Sequence, residues 1–146
     1  MSQALQFYQS AGNEAFSKMV CQMAPYFATI DPTFVELKPG YAEVRLPFRR
    51  EVTNHLGSVH AIAMCNAAEL VAGTMTDVSI PAGSRWIPKG MTVEYLAKAK
   101  TDLRAVADGS SVDFSQPGDV VVPVDVFDTD GQKVFSARIT MNVKAG

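Results

Sequence analysis

Apolar side chains recur at helical spacing from residue 3 to residue 23 (Leu5, Tyr8, Phe16, Met19, Val20, Met23), and Pro25 closes the pattern because proline cannot continue a helix. The spacing predicts one amphipathic helix over 3–23, packed on something larger. The period then drops to two. Thr33 to Lys38 and Tyr41 to Phe48 alternate, with Ala42, Val44, Leu46 and Phe48 on one face of the second run. Pro39-Gly40 between them suits the central positions of a type II turn, so a β-hairpin is expected. From about Ser58 to Thr76 the segment SVHAIAMCNAAELVAGTMT is apolar nearly all the way round. It predicts a helix buried on most sides, with Ser58 as its N-cap. The remainder reads as four strands: Met91 to Ala99 with Met91, Val93, Tyr95 and Ala97 on one face, Leu103 to Asp108, Asp119 to Asp128, and Lys133 to Lys144. A turn at Asp108-Gly109-Ser110-Ser111 and a tight hairpin at Asp130-Gly131 join the last three.

The order helix, two strands, buried helix, four strands predicts an α+β fold in which one antiparallel sheet curls around the central helix, with an extra helix at the N-terminus. With 146 residues, the chain is expected to form one domain over 1–146. Hydrophobic residues make up 47% and charged residues 19%, which excludes a disordered chain. Thirteen Lys and Arg against fifteen Asp and Glu give a net charge of −2, so a nucleic-acid partner is not expected. The N-terminus lacks the basic and apolar regions of a signal peptide, and no stretch approaches the roughly 20 apolar residues of a membrane span. A cytoplasmic protein without a membrane partner is the expectation. Cys21 and Cys65 form neither a disulfide framework nor a zinc spacing, and no metal or other cofactor is expected.

Candidate chemistry concentrates in Asn54-His55-Leu56-Gly57-Ser58-Val59-His60, followed nine residues later by Glu69. A carboxylate in an apolar helix needs a partner, a shifted pKa or access to water. Asn66 and Gly73, at i−3 and i+4, would form a narrow polar stripe with Glu69 where a substrate or second subunit could approach. Alternatively, Glu69 simply faces solvent. Cys65 reads as a core thiol, His55 as polar loop surface, Arg49 and Arg50 as a solvated basic pair or a phosphate contact, and Trp86 as core packing or a pocket wall.

The pattern Asn-x-x-Gly-x-x-His with an acidic residue nine positions beyond the histidine resembles the hot-dog acyl-CoA thioesterases, particularly the phenylacetate-pathway type. The resemblance runs from about Phe27 to Val143 with the same order of elements. It places Asn54, Gly57, His60 and Glu69 on the family's positions. It implies hydrolysis of an acyl thioester carried by CoA or acyl carrier protein, at a site shared across a homodimer or within a homotetramer built as a dimer of dimers. Glu69 would activate water or attack the thioester carbonyl, Asn54 would position water or carbonyl, the Ala61 N–H would face the oxyanion, and His60 would orient the loop. Gly57, Ile62, Asn66 and Lys89 would lie along the substrate. Three departures mark a divergent subfamily. Ala61 and Ile62 stand where the family usually has two glycines, Pro88 stands where many relatives carry Ser or Thr, and Lys89 falls in alternation with Met91, Val93 and Tyr95. Lys89 would either pair with Glu69 or snorkel into water. The same tunnel without turnover would make an acyl or acyl-CoA binding module. A hot-dog dehydratase or hydratase would need a proline-bearing loop after the histidine, which this chain lacks, and a purely structural dimerisation domain is the remaining reading.

Overall fold

The hydrophobic alternation of six segments is satisfied by a single sheet. The computed structural model describes residues 1–146, and its strands β1 (Thr33–Lys38), β2 (Tyr41–Leu46), β3 (Arg85–Tyr95), β4 (Leu103–Asp108), β5 (Gly118–Phe127) and β6 (Lys133–Lys144) run in the order β1-β2-β4-β5-β6-β3. Every neighbouring pair is antiparallel. Ala42, Val44 and Leu46 of β2 and Phe135, Ala137, Ile139, Met141 and Val143 of β6 are all buried, as their alternation predicts. They face α3 (Ala61–Ser79), whose buried residues Ala67, Leu70, Val71, Ala72 and Met75 form the centre of the core. The sheet wrapped on a central helix is the expected hot-dog arrangement. No helix is long and apolar enough to cross a membrane.

Several boundaries differ from the sequence reading, each for a local reason. The N-terminal segment is two helices, α1 (Gln3–Ala11) and α2 (Asn13–Met23), broken at Gly12, whose φ of +88° no helical residue adopts. A short 3-10 helix, Pro25–Ile30, follows. Phe48 leaves the inner face and is 38% exposed, because Pro47 has no N–H to continue the ladder and β2 stops at Leu46. The central helix starts three residues later than expected. Ser58 is taken up by the preceding loop, and His60 is the N-cap instead. β3 begins at Arg85, six residues early, because a bulge at Lys89 absorbs the Pro88–Gly90 interruption.

The sheet has two edges, and the chain treats them differently. On the outer side of β1, the Ser17 hydroxyl accepts from Phe34 N–H at 2.7 Å and donates to the Asn13 carbonyl at 2.6 Å. Asn13 Nδ2 donates to the Val35 carbonyl at 3.1 Å. The Phe16 and Phe34 rings meet edge to face at 4.9 Å between centroids beside these bonds. Helix α2 therefore seals the β1 edge. On β3 the ladder partner is β6 alone.

Ser17 is 5% exposed, so Ser17→Ala strands the buried Phe34 N–H. We expect a loss of about 1–3 kcal/mol, read as a lower urea midpoint at unchanged slope. An unchanged midpoint would mean that α2 is not tied to β1 in this way.

Candidate active site

The loop entering α3 is built by Asn54. Its Oδ1 accepts from the N–H groups of Leu56 at 2.9 Å and Ser58 at 3.2 Å, while its own N–H donates to the Ser58 carbonyl at 2.8 Å. The closed turn puts Gly57 at φ +77°, a conformation that favours glycine. Gly57 thus shapes the loop. The loop delivers His60, whose N–H donates to the Val52 carbonyl at 2.7 Å. His60 Nδ1 accepts from Ile62 N–H at 3.0 Å, which requires the ring proton on Nε2. The His60 carbonyl takes the N–H groups of Ala63 and Met64 at 3.0 and 3.3 Å. Of the first helical turn, only the Ala61 N–H has no acceptor within the chain. It sits at the positive end of a 19-residue helix, where free N–H groups and the macrodipole favour negative charge. Ala61 lines a shallow pocket with Asn54, Leu56, Tyr95 and Leu96.

Glu69 lies elsewhere. Eight residues at 1.5 Å each put it about 12 Å along α3 from Ala61. There it lines a cavity of about 400 Å³ between α3, the α1–α2 pair and the start of β3. Most of the wall is apolar, including Phe16, Met19, Phe27 and Leu70. Glu69, Thr74 and Asp77 are its polar members, and no Lys, Arg or His contributes. Glu69 takes part in no salt bridge. At the far end, Trp86 Nε1 donates to Asp77 Oδ1 at 2.9 Å, and the indole lies over Gly73. A Cβ on Gly73 would come within 2.7 Å of the ring.

The expected site residues separate accordingly. Asn54, Gly57 and Ala61 gather at the helix start, and Glu69, Gly73 and Pro88 at the cavity. Asn66 does not share the Glu69 stripe. It is 7% exposed, and its Nδ2 donates to the Tyr26 carbonyl and Thr29 Oγ1, both at 3.3 Å, pinning the 3-10 helix onto α3. Ile62 and His60 line a third pocket, shared with Tyr26, Thr29 and Asn66, so the Ile62 side chain does not crowd the Ala61–Asn54 pocket. Lys89 is the bulge residue of β3. It turns out of the inward alternation and pairs with Asp119 at 2.9 Å, in solvent, rather than with Glu69. Burial pushes the Cys65 thiol above its usual value, which fits a core thiol and not a nucleophile. Arg49 donates to the Thr29 carbonyl and contacts Glu51, which makes it a strut of the fold, while Arg50 is exposed. Sequence reasoning passed over Asp77 and the α1–α2 wall. The signal for Asp77 was present, since it continues the Glu69–Gly73 spacing by one more turn.

No curated protein matches the chain. A structural-genomics crystal structure 64% identical to it covers 99% of this chain and 97% of its own, with a TM-score of 0.90. A thioesterase-family protein from Silicibacter pomeroyi shares the fold at TM-score 0.76 and 18% identity, over 89% of this chain and 96% of that one. A thioesterase from Haemophilus influenzae does so at 0.73 and 12%, over 82% of each chain. The helix-in-sheet arrangement is therefore the hot-dog fold of thioesterase-family proteins. With residues 12–143 matched, the chain belongs to the family described as a domain of unknown function, DUF4442.

Proposed function

We propose that the protein hydrolyses acyl thioesters, carried by CoA or acyl carrier protein, at a site completed by two copies of the chain. The observation that carries this reading is the division of one helix into two half-sites, a free N–H at Ala61 and a carboxylate in an apolar cavity at Glu69. An oxyanion donor and a base about 12 Å apart on one helix cannot serve the same carbonyl. β3 offers a way to join them. Trp86 and Pro88 near its start line the Glu69 cavity, and Tyr95 at its end lines the Ala61–Asn54 pocket. Antiparallel pairing of the unbroken run Gly90 to Tyr95 with its own copy, about a two-fold axis centred between Thr92 and Val93, sets Gly90 of one chain against Tyr95 of the other and leaves Pro88 just beyond that Tyr95. The two half-sites then face each other across the pair.

At such a site the Glu69 carboxylate takes a proton from water as the water oxygen bonds to the thioester carbon. The carbonyl oxygen becomes an oxyanion held by the Ala61 N–H of the opposite chain. Collapse breaks the C–S bond, and the proton on Glu69 passes to the sulfur, giving acid and thiol. Asn54 spends its Oδ1 on the loop, while its Nδ2 makes no hydrogen bond within the chain and is left to meet the carbonyl. His60 acts through the backbone, since capping Ile62 with Nδ1 leaves the Ala61 N–H free. Pro88 beside Glu69 offers no hydroxyl to hold a water, which is the observation favouring acyl binding without turnover as the second reading.

Glu69→Gln is expected to abolish thiol release from acyl-CoA while the dimer stays folded. Thiol release at the wild-type rate would remove Glu69 from the mechanism. Ala61→Pro deletes one N–H at the first helical position, where proline is tolerated after an extended residue such as His60. We expect kcat to fall about 10²–10³-fold with little loss of stability.

The two inactive variants also test sharing. Refolded together in equal amounts, they should regain about one quarter of wild-type activity, since half the dimers are mixed and each keeps one intact site. No regain from mixed dimers would mean that each chain works alone.

A further inference from the structure

The thioesterase reading leaves open what the 400 Å³ cavity holds. Its position is set by three elements that the reaction itself does not need: α1, α2 and the first residues of β3. Glu69, Gly73 and Asp77 follow one another at i, i+4 and i+8 along α3, so the floor of the cavity runs about 6 Å along the helix from Glu69 to Gly73, over which the indole lies, and about 12 Å to the Asp77 carboxylate that holds it. At roughly 30 Å³ for a group of about a water's size, the volume accommodates about a dozen non-hydrogen atoms, within the range of a small-ligand site. The wall chemistry then selects among such ligands. Apolar side chains dominate, no cation is present to receive an anion, and carboxylates stand near both ends. A neutral acyl chain attached at the Glu69 end fits this wall. The free acid made from it does not, because its ionised carboxylate would lie against Glu69 without a counter-charge.

Resting on the thioesterase reading, we infer that this cavity beneath the α1–α2 pair receives the acyl group of a medium-length thioester, and that Trp86, clamped to Asp77 across Gly73, sets the length limit. Met23, 78% exposed and also on the cavity wall, marks the mouth at the end of α2. The indole can act as the end wall because Gly73 lets it approach the helix backbone and Asp77 fixes its rotation. The wall and the carboxylate that ejects the product thus stand on one stripe of one helix.

Trp86 is the sole tryptophan of the chain, so its fluorescence reports occupancy directly and independently of turnover. S-alkyl-CoA thioethers, which cannot be hydrolysed, should change its emission saturably for octyl to dodecyl chains and hardly at all for ethyl. Kinetics with acyl-CoA esters form the second arm. Chains that overrun the limit should lose about tenfold or more in kcat/KM per added methylene, the scale on which a closed hydrophobic pocket discriminates. Trp86→Ala should shift the preference to longer chains. Trp86→Phe, which keeps a ring over Gly73 but loses the Asp77 bond, should shift it in the same direction and covers the case in which the alanine variant fails to fold. Thiol release with no emission change for any thioether, or with a chain-length profile that neither folded variant alters, would overturn the cavity assignment and leave the thioesterase reading standing. An emission change without thiol release would support the cavity assignment and overturn the thioesterase reading. Neither signal would overturn both.

Discussion

The burial of α3 is the constraint on which the rest of the structure depends. A helix apolar around most of its circumference must be covered on most sides, and a single sheet can curl over only part of it. β2, β4, β5 and β6 supply that cover with small and branched side chains such as Ala42, Ala105, Val122 and Ile139, all fully buried. The α1–α2 pair covers the remaining side with Phe16 and Met19. Cover is incomplete at Glu69 and Asp77, which stay half-buried, while Gly73 between them is closed by the Trp86 indole. The cavity and the carboxylate beside it are one consequence of the same stripe.

That stripe also explains why Glu69 remains unpaired. Alternation along β3 would have aimed Lys89 at it, and an ion pair would have occupied the carboxylate oxygens that the proposed reaction needs free for water. The bulge inserts one residue, Lys89 turns to Asp119 in solvent, and Pro88 takes the inward position next to the cavity. At the other end of the helix, the imidazole cap does comparable work. A serine or aspartate cap would also satisfy the first turn, but the side chain present is His60, held by the Val52 carbonyl so that its Nδ1 serves Ile62 and leaves Ala61 unserved.

How much of this could be read from the sequence follows from how one-sided each element is. β4 and β6 were placed to the residue because one face is buried and the other wet, which imposes strict alternation. β3 is an edge strand with most residues exposed on both faces, so its pattern is weak and its bulge reverses the inward set. The break at Gly12 was hidden because both halves keep their apolar positions at 3.6-residue spacing across it. Ser58 carries the stronger cap preference, yet hydrogen bonding to Asn54 claims it. At the site, Glu69 stood out as a lone carboxylate in an apolar helix. The Trp86–Asp77 clamp joins a strand to a helix, and no local pattern announces such a contact.

The unequal edges of the sheet decide where a second copy can join. An open edge invites any strand, and β1 is withdrawn from that choice by Ser17 and Asn13, with a bulge at Val35 that further breaks its ladder. β3 has no such cover, but its first half is spoiled for long pairing by Pro88, which has no N–H to donate, and by the bulge at Lys89. What remains continuous is Gly90 to Tyr95, a short run that can pair once about a two-fold axis and then presents no further edge. Under the proposed pairing, a chain with one sealed edge and one short open edge would close as a dimer and not extend into a fibre. Because β3 touches a candidate half-site at each end, the proposed pairing that closes the sheet would also bring the proposed base to the proposed oxyanion donor.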